Sequence, residues 1–152
     1  MSISITFQKR FIELVDELST EKKTACAENI GITYVTFSKV YNYGIVPKTG
    51  TLIKIADFFN VSVKYLLGET DDEYFERAPI TKTFQVRLRE LLNEKKLTVY
   101  ALAENTHIHR NNIAQWLKNF YIPSYEELVL LADCLSVSVD YLLGRTDDRN
   151  DY

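Results

Sequence analysis

Residues Val61–Asp72 have the sequence VSVKYLLGETDD, and residues Val137–Asp148 repeat it almost unchanged as VSVDYLLGRTDD. Shifting the chain by 76 residues also pairs Pro47 with Pro123, and Leu52, Ile55 and Ala56 with Leu128, Leu131 and Ala132. Near the N-terminus the offset becomes 77, which pairs Phe7 and Arg10 with Phe84 and Arg87. A repeat of this length is too long for a solenoid and suits a small domain with its own core. We therefore expect tandem domains at 1–72 and 82–148, a linker at 73–81 and a tail at 149–152.

The composition is that of an ordinary globular protein. The chain has 152 residues, 46% of them hydrophobic and 26% charged, and it lacks an apolar run long enough to predict a membrane span. Its first residues, MSISITFQKRF, do not follow the basic-then-apolar pattern of a secretory signal, so we expect a cytoplasmic protein. Cys26 and Cys134 align with Leu102 and Phe58 of the other copy, which favours apolar packing over metal or redox chemistry.

The charge is distributed unevenly along each copy. The formal net charge of −3 argues against a polycation that wraps nucleic acid without specificity. Each copy nevertheless has one window without acidic residues, between Glu28 and Asp57 and between Glu104 and Glu126. The cations and histidines of these windows are Lys39, Lys48 and Lys54 in the first and His107, His109, Arg110 and Lys118 in the second. The pattern is typical of an anion-facing surface, and chance depletion is the alternative explanation.

The apolar spacing predicts an all-α fold with five helices in each copy. Apolar residues at helical spacing predict a first amphipathic helix, with Thr6 and Thr83 as N-caps. Its apolar positions are Phe7, Phe11, Leu14, Val15 and Leu18 in one copy and Phe84, Leu88, Leu91 and Leu92 in the other. Short second helices follow at Thr24 to Asn29 and Thr98 to Asn105, and third helices begin after the cap positions Thr33 and His109 and reach Asn42 and Lys118.

The third helix of each copy has a narrow apolar stripe, and its remaining positions are polar or are expected to face outward. Phe37 with Val40, and Ile113 with Trp116, give the stripe its i, i+3 spacing, so we expect Trp116 in the core. A short helix, a tight turn and a second short helix with a thin apolar back form a helix-turn-helix unit. Ser124 and Glu127 form a predicted capping box before the fourth helix, and the fifth helix is capped by Ser62 or Ser138 and ends at Gly68 or Gly144.

The second copy, from Phe84 to Gly144, resembles the phage Cro and repressor type of helix-turn-helix domain, also called the XRE type. The resemblance rests on ALAENTHIHRNNIAQWLKN, on Ile122, Pro123 and Ser124, and on ELVLLADCLSVSVDYLLG. It extends to the first copy and implies tandem lambda-repressor-like domains. The start of the second helix departs from the family in both copies. Lys22 to Thr24 stand where a polar cap and glutamine are usual, and Val99 replaces a glutamine that commonly contacts phosphate.

The resemblance implies binding to duplex DNA, with the third helix in the major groove. By position, the residues implied to face bases are Arg110, Asn111 and Gln115 in the second copy and Tyr34, Val35 and Lys39 in the first. Those implied to contact phosphate are Thr98, Asn112, Lys118 and Asn119 in the second copy and Thr36 and Asn42 in the first. Arginine can donate two hydrogen bonds to guanine, and asparagine or glutamine can pair with adenine, so the second set has the chemistry that base recognition needs.

Other kinds of site have little support in the sequence. His107 and His109 lack the i, i+4 spacing of a helical metal site, and Asp71, Asp72, Asp147 and Asp148 follow helix-ending glycines, where they are expected to be solvated. No glycine-rich phosphate loop or Cys–His pair predicts catalysis, so we expect neither an enzyme nor a cofactor, metal or small-molecule ligand.

We therefore expect a transcription regulator, a repressor acting as a homodimer, in which the second domain is the principal reader of an operator. The two domains of one chain could instead mimic a dimer by themselves, or the first domain could hold two chains together while the second reads DNA. Tyr65, Phe75 and Tyr141 are candidates for the pairing surface, and core burial is the alternative role for them. A rival function is a protein-interaction adaptor, antirepressor or antitoxin-like, whose DNA surface is degenerate. The apolar pair Tyr34 and Val35 favours the rival, and Arg110, Asn111 and Gln115 favour the regulator.

Overall fold

The computed structural model describes residues 2–18 and 22–149, and the chain divides into two compact units, Met1–Phe75 and Glu76–Tyr152. The first unit contains α1 (Ile5–Glu17), α2 (Lys23–Ile30), α3 (Tyr34–Tyr43), α4 (Thr49–Phe59) and α5 (Val63–Leu66). The second contains α6 (Phe84–Lys95), α7 (Val99–Thr106), α8 (Arg110–Lys118), α9 (Tyr125–Leu135) and α10 (Val139–Leu142). The described residues form no β-strand, only one isolated antiparallel bridge between Ile3 and Ile45, so the predicted all-α class is confirmed. Nor is any helix in these ranges both long and apolar enough to span a bilayer.

Each unit folds around the apolar positions that the helical spacing predicts. In the first unit α1 packs on α3 and α5, while α2 packs on α3 and α4, and Phe11 meets the edge of Phe37 with ring centroids 5.2 Å apart. In the second unit α6 packs on α8 and α10, and α7 packs on α8 and α9. Its fully buried side chains are mainly aliphatic: Leu88, Leu91, Leu102, Ile113, Leu128 and Leu131. The fully buried side chains of the first unit include three phenylalanines, Phe7, Phe11 and Phe37, so the same helical frame accepts more aromatic volume there.

Most of the predicted helix caps are present. The side chains of Thr33, Thr83, Thr98 and Ser138 each accept a hydrogen bond from a backbone N–H in the first turn of the following helix. Ser124 and Glu127 form the predicted capping box at the start of α9. The prediction of Thr6 as the cap of α1 was wrong. Ser4 accepts from Phe7 N at 3.2 Å, and the Thr6 hydroxyl donates instead to Leu67 O at 3.3 Å.

An arginine of the first helix holds the C-terminal aspartates of each unit. Arg87 lies 3.3 Å from Asp147 and over the ring of Tyr141, and Arg10 lies 3.5 Å from Asp71 and over the ring of Tyr65. These aspartates therefore have a structural partner in addition to solvent. Arginine suits this position because its planar guanidinium can stack on a ring while it donates to a carboxylate.

Part of the segment 73–81, predicted as a linker, is packed into the second unit. Ala78 is buried and donates its N–H to Arg145 O at 2.9 Å, and the Thr146 hydroxyl donates to Glu76 O at 2.7 Å. At the other end of the chain, Arg149 forms two hydrogen bonds to Glu94, at 2.6 and 2.7 Å. This pairing lowers the pKa of Glu94, because the nearby guanidinium favours the ionised carboxylate.

The turn at Gly144 has no space for a side chain. Its φ is +76°, and a Cβ there would overlap the backbone carbonyl of Lys82. We expect Gly144→Ala to lower the free energy of unfolding by more than about 2 kcal/mol, because backbone strain and a steric clash add together. Gly31→Ala is the control, since Gly31 has a φ of +89° and open space around it, so that only the strain of about 1 kcal/mol applies. Chemical denaturation would measure both, and equal losses would contradict the steric explanation.

Candidate nucleic-acid interface

The turn between α7 and α8 is held by its own residues. His107 takes the left-handed conformation at φ 60°, and buried Ile108 follows it. The Thr106 hydroxyl donates to Leu102 O at 2.7 Å and accepts from Ile108 N at 3.4 Å. His109 then caps α8, because its Nδ1 accepts from Asn111 N at 3.1 Å. The angle between the two helices is therefore set by buried contacts and local hydrogen bonds.

Helix α8 buries one side and exposes the other. Ile113 and Trp116 are buried, with Trp116 meeting the edge of Phe84 at 6.2 Å between centroids, so the predicted core position of Trp116 is confirmed. Arg110, Asn111 and Gln115 are exposed, and their spacing puts them on one flank of the helix. In the ranges 2–18 and 22–149, no acidic side chain forms an ion pair with Arg110 or Lys118. The flank is open to a ligand.

The remaining candidate residues of the second unit border this flank. Thr98, Asn112, Lys118 and Asn119 are all exposed. The Asn119 side-chain N–H₂ donates to Gln115 Oε1 at 2.9 Å, which orients the Gln115 amide. The Thr98 hydroxyl is already engaged as the cap of α7, where it accepts from Ala101 N at 3.1 Å. Val99, which departs from the family pattern, is half-buried.

The corresponding surface of the first unit is more apolar. Tyr34, Val35 and Lys39 are exposed on α3, and the Tyr34 ring lies nearly parallel to buried Phe37 with centroids 6.2 Å apart. Thr36 is half-buried and shares a 3.0 Å hydrogen bond with Thr33, while Asn42 donates to Ser38 at 2.9 Å. Lys39 is thus the only cation among the residues that the resemblance assigned to this surface.

Tyr41 ties α3 to its neighbours. Its hydroxyl donates to Asp16 at 3.0 Å, and Lys23 Nζ lies 4.0 Å from the centre of its ring. The hydrogen bond to the carboxylate raises the pKa of Tyr41, because the bond is lost when the phenol ionises.

In both units the first helix also holds the C-terminal end of the third. Gln8 Nε2 donates to Tyr41 O at 3.0 Å, and Arg89 Nη2 donates to Leu117 O at 2.8 Å. Leu117 occupies the repeat position of Tyr41, so the same carbonyl is bonded in both units by different residues. Gln85, the repeat partner of Gln8, donates to Tyr121 O at 2.8 Å in the next loop. Carbonyls in the last turn of a helix lack backbone donors, which explains why side chains bond to them.

These contacts were not predicted from the sequence. Gln8 and Gln85 align at the offset of 77 residues, so the repeat could have indicated that both have a structural role. Arg89 aligns with Ile12, so the repeat gives no indication of its contact.

The candidates for a pairing surface and the two cysteines lie mostly in the interior of their units. Phe75 and Tyr141 are buried and Tyr65 is half-buried under Arg10, so core burial, the alternative role expected for them, describes Phe75 and Tyr141. Cys26 is buried and Cys134 half-buried. Within 2–18 and 22–149, no three His, Cys, Asp or Glu side chains are grouped as metal ligands would be.

Comparison with known proteins identifies the domain type of the second unit. Residues 88–142, from α6 to the end of α10, match the family model described as Helix-turn-helix. The chain is also 42% identical over 62 residues to the uncharacterized HTH-type transcriptional regulator YobD of Bacillus subtilis (strain 168), over 41% of this chain and 55% of that protein. The chain thus spans about half the length of the curated relative it matches. No solved structure matches the chain. The helix-turn-helix resemblance is confirmed for 88–142, and for the first unit it stays a prediction.

Arg89 provides a test of how α8 is held at its end. We expect Arg89→Met to lower the free energy of unfolding by about 1 kcal/mol, the usual contribution of one hydrogen bond, and to speed amide exchange at Asn119, whose N–H bonds to Gln115 O. Lys95→Met is the matched control, an exposed cation at the end of the same helix. If the two variants show the same exchange at Asn119, then Arg89 does not stabilise the end of α8.

Proposed function

We propose that this chain is a DNA-binding transcription regulator, without enzymatic activity, that acts in the cytoplasm and reads duplex DNA with α8. The observation that supports it most is the exposed, acid-free flank of Arg110, Asn111 and Gln115 on α8, the second helix of the helix-turn-helix unit in the matched domain. A helix of this kind fits the major groove of B-DNA, where every base pair has a distinct pattern of donors and acceptors.

The side chains of the flank have the chemistry that base recognition requires. Arg110 at the first turn of α8 can donate two hydrogen bonds to guanine, and Asn111 and Gln115 can pair with adenine. Each good bidentate pair contributes about 1 to 3 kcal/mol of discrimination. The hydrogen bond from Asn119 pre-orients Gln115, which lowers the entropy lost when it meets a base.

We assign phosphate contacts to the exposed polar residues around the flank. Lys118 supplies charge, and Thr98, Asn112 and Asn119 supply hydrogen-bonding groups at the edges of α7 and α8. Such contacts fix the register of the helix on the duplex without selecting sequence.

We propose that the second unit is the principal reader and that the first contributes less. On α3, Tyr34 and Val35 can meet a thymine methyl group, but only Lys39 is a strong donor to a base, and the Thr36 hydroxyl is engaged with Thr33. Asn42 is the remaining candidate for a phosphate contact. The exposed apolar side chains of Tyr34 and Val35 also support a second candidate function for this unit, a protein-binding adaptor surface.

We further propose a homodimer that represses transcription. One α8 covers a single half-site, whereas two-fold pairing presents two recognition helices about 34 Å apart, one turn of B-DNA. A dimer bound at such a site excludes other proteins from the same duplex, so occupancy of promoter DNA leads to repression.

Motif selection from a random duplex library tests the reading helix. We expect the wild-type chain to select a defined motif, and Arg110→Ala with Gln115→Ala to lose selectivity by about 10- to 100-fold for each base contact removed. Lys118→Ala is the matched control, because removing one phosphate contact weakens binding to all duplexes and reduces the salt slope by about 1.

Circular dichroism would establish that each variant is folded. Unchanged motif selection by the folded Arg110→Ala, Gln115→Ala chain would rule out α8 as the reader.

A second pair of substitutions tests the first unit separately. If α3 touches DNA, we expect Tyr34→Ala with Lys39→Ala to weaken operator binding and to reduce the salt slope, because Lys39 is a cation near phosphate. If α3 is instead an adaptor surface, we expect the Tyr34→Ala, Lys39→Ala chain to bind the operator as the wild type does. The control Lys54→Ala, at an exposed lysine on α4, should then also bind the operator as the wild type does. Fluorescence anisotropy at several salt concentrations distinguishes the two.

A further inference from the structure

In the first unit, the loop after the third helix pairs with the extended segment Ser2–Ser4. Ser4 N donates to Gly44 O at 2.9 Å, and Val46 N donates to Ser2 O at 2.9 Å, with Ile3 opposite Ile45. The N-terminal segment therefore covers the loop Gly44–Val46 through one antiparallel bridge.

Among the residues that the structure describes, no segment covers the matching loop of the second unit, Phe120–Ile122, in this way. The residues that align with Ser2–Ser4 are 79–81, but the backbone just before them is bonded to the end of α10 through Ala78 and Glu76. Across the described part of the chain, neither Phe120 O nor Ile122 N takes part in a backbone hydrogen bond. The side chains of Phe120, Tyr121 and Ile122 are 83%, 66% and 42% exposed.

The hydrogen-bonding groups of this loop are complementary to themselves. In the first unit the loop uses the carbonyl before Ile45 and the N–H after it, as an antiparallel pair requires. The carbonyl of Phe120 and the N–H of Ile122 flank Tyr121 in the same order. Two copies of the loop related by a two-fold axis can satisfy each other, each donating Ile122 N–H to Phe120 O, and a surface that pairs with itself is the property of a two-fold interface.

We propose that Phe120–Ile122 is the homodimer interface and that its occupant is the same loop of a second copy of this chain. A groove of about 330 Å³ lies beside the loop, with Val86, Leu117 and Phe120 among its lining residues. An aromatic side chain of the second copy fits such a groove, and buried aromatic rings are frequent sources of binding energy at interfaces. The pairing buries Phe120 and Tyr121, two of the large apolar side chains that are exposed in the described part of the second unit.

The position of the loop links dimerisation to DNA reading. Tyr121 lies only three positions beyond Lys118, the last residue of α8. Extended residues span about 3.4 Å each and paired strands lie about 5 Å apart, so the C-terminal ends of the two α8 helices come within about 25 Å. Helix centres about 34 Å apart are then within reach, and the interface would fix the spacing of half-sites.

Light scattering and sedimentation of the full chain test this interface. We expect the wild type to dimerise, and Phe120→Ser with Tyr121→Ser to raise the dimer dissociation constant at least about tenfold, as loss of an interface aromatic does. Tyr100→Ser, at an exposed tyrosine on α7, is the control and should leave the dimer unchanged.

Cross-linking provides a second, positive readout. In a Cys134→Ser background, Tyr121→Cys should form a disulfide-linked dimer under mild oxidation, because directly opposed residues of an antiparallel pair lie at disulfide distance. Tyr100→Cys in the same background should form no disulfide-linked dimer.

A monomeric wild type, a dimer that tolerates both serine substitutions, or a Tyr121→Cys chain that does not cross-link would each overturn the interface. The proposal rests on the homodimer part of the proposed function and not on DNA reading. Selection of a single half-site by the Phe120→Ser, Tyr121→Ser chain reports on reading alone, so the two can fail separately.

Discussion

The rest of each unit is arranged around the burial of one narrow apolar stripe on the third helix. This burial determines which side of that helix faces solvent. Ile113 and Trp116 in one unit, and Phe37 and Val40 in the other, are the buried residues of that helix. A stripe with i, i+3 spacing buries only one side of a short helix, so the opposite side must face solvent whatever residues it contains. The other helices supply the surfaces that receive the stripe, and capped turns before the third helix set its angle.

Contacts that are present in both units are those that the fold requires, and residues that differ between the units can serve a function particular to one of them. The carbonyl of Tyr41 or Leu117, the aspartate at 71 or 147 and the aromatic ring at 65 or 141 are each held by a side chain of the first helix in both units. Cores rich in phenylalanine or in leucine both satisfy the frame, since total volume and pattern matter more than the identity of each residue. The surfaces differ far more. α8 presents arginine and amides, and α3 presents tyrosine and valine.

Local features of this chain could be predicted from its sequence, and long-range ones could not. The all-α class, the capping box at Ser124 and Glu127 and the burial of Trp116 depend on residues a few positions apart, whose spacing is visible in the sequence. Thr6 failed as a cap because Ser2–Ser4 forms a bridge with a loop about forty residues away, which brings Ser4 to the helix start. The bond from Arg89 to Leu117 O and the burial of Phe75 and Tyr141 likewise depend on tertiary packing that no spacing encodes. The outward flank of α8 was predictable because it is the complement of the apolar stripe.

The difference between the two loops after the third helix follows from where the preceding backbone is held. In the first unit the extended residues before α1 are available to pair with Gly44–Val46, and they do so through two hydrogen bonds. In the second unit the residues before α6 are bonded to Arg145 and Thr146 at the end of α10, and Lys82 lies against Gly144 so closely that a Cβ is excluded there. A segment fixed at this point leaves Phe120 O and Ile122 N without a backbone hydrogen bond to any residue that the structure describes. Packing at one end of the second unit thus exposes an apolar edge directly after the helix proposed to read DNA, where pairing of two copies would set the distance between two such helices.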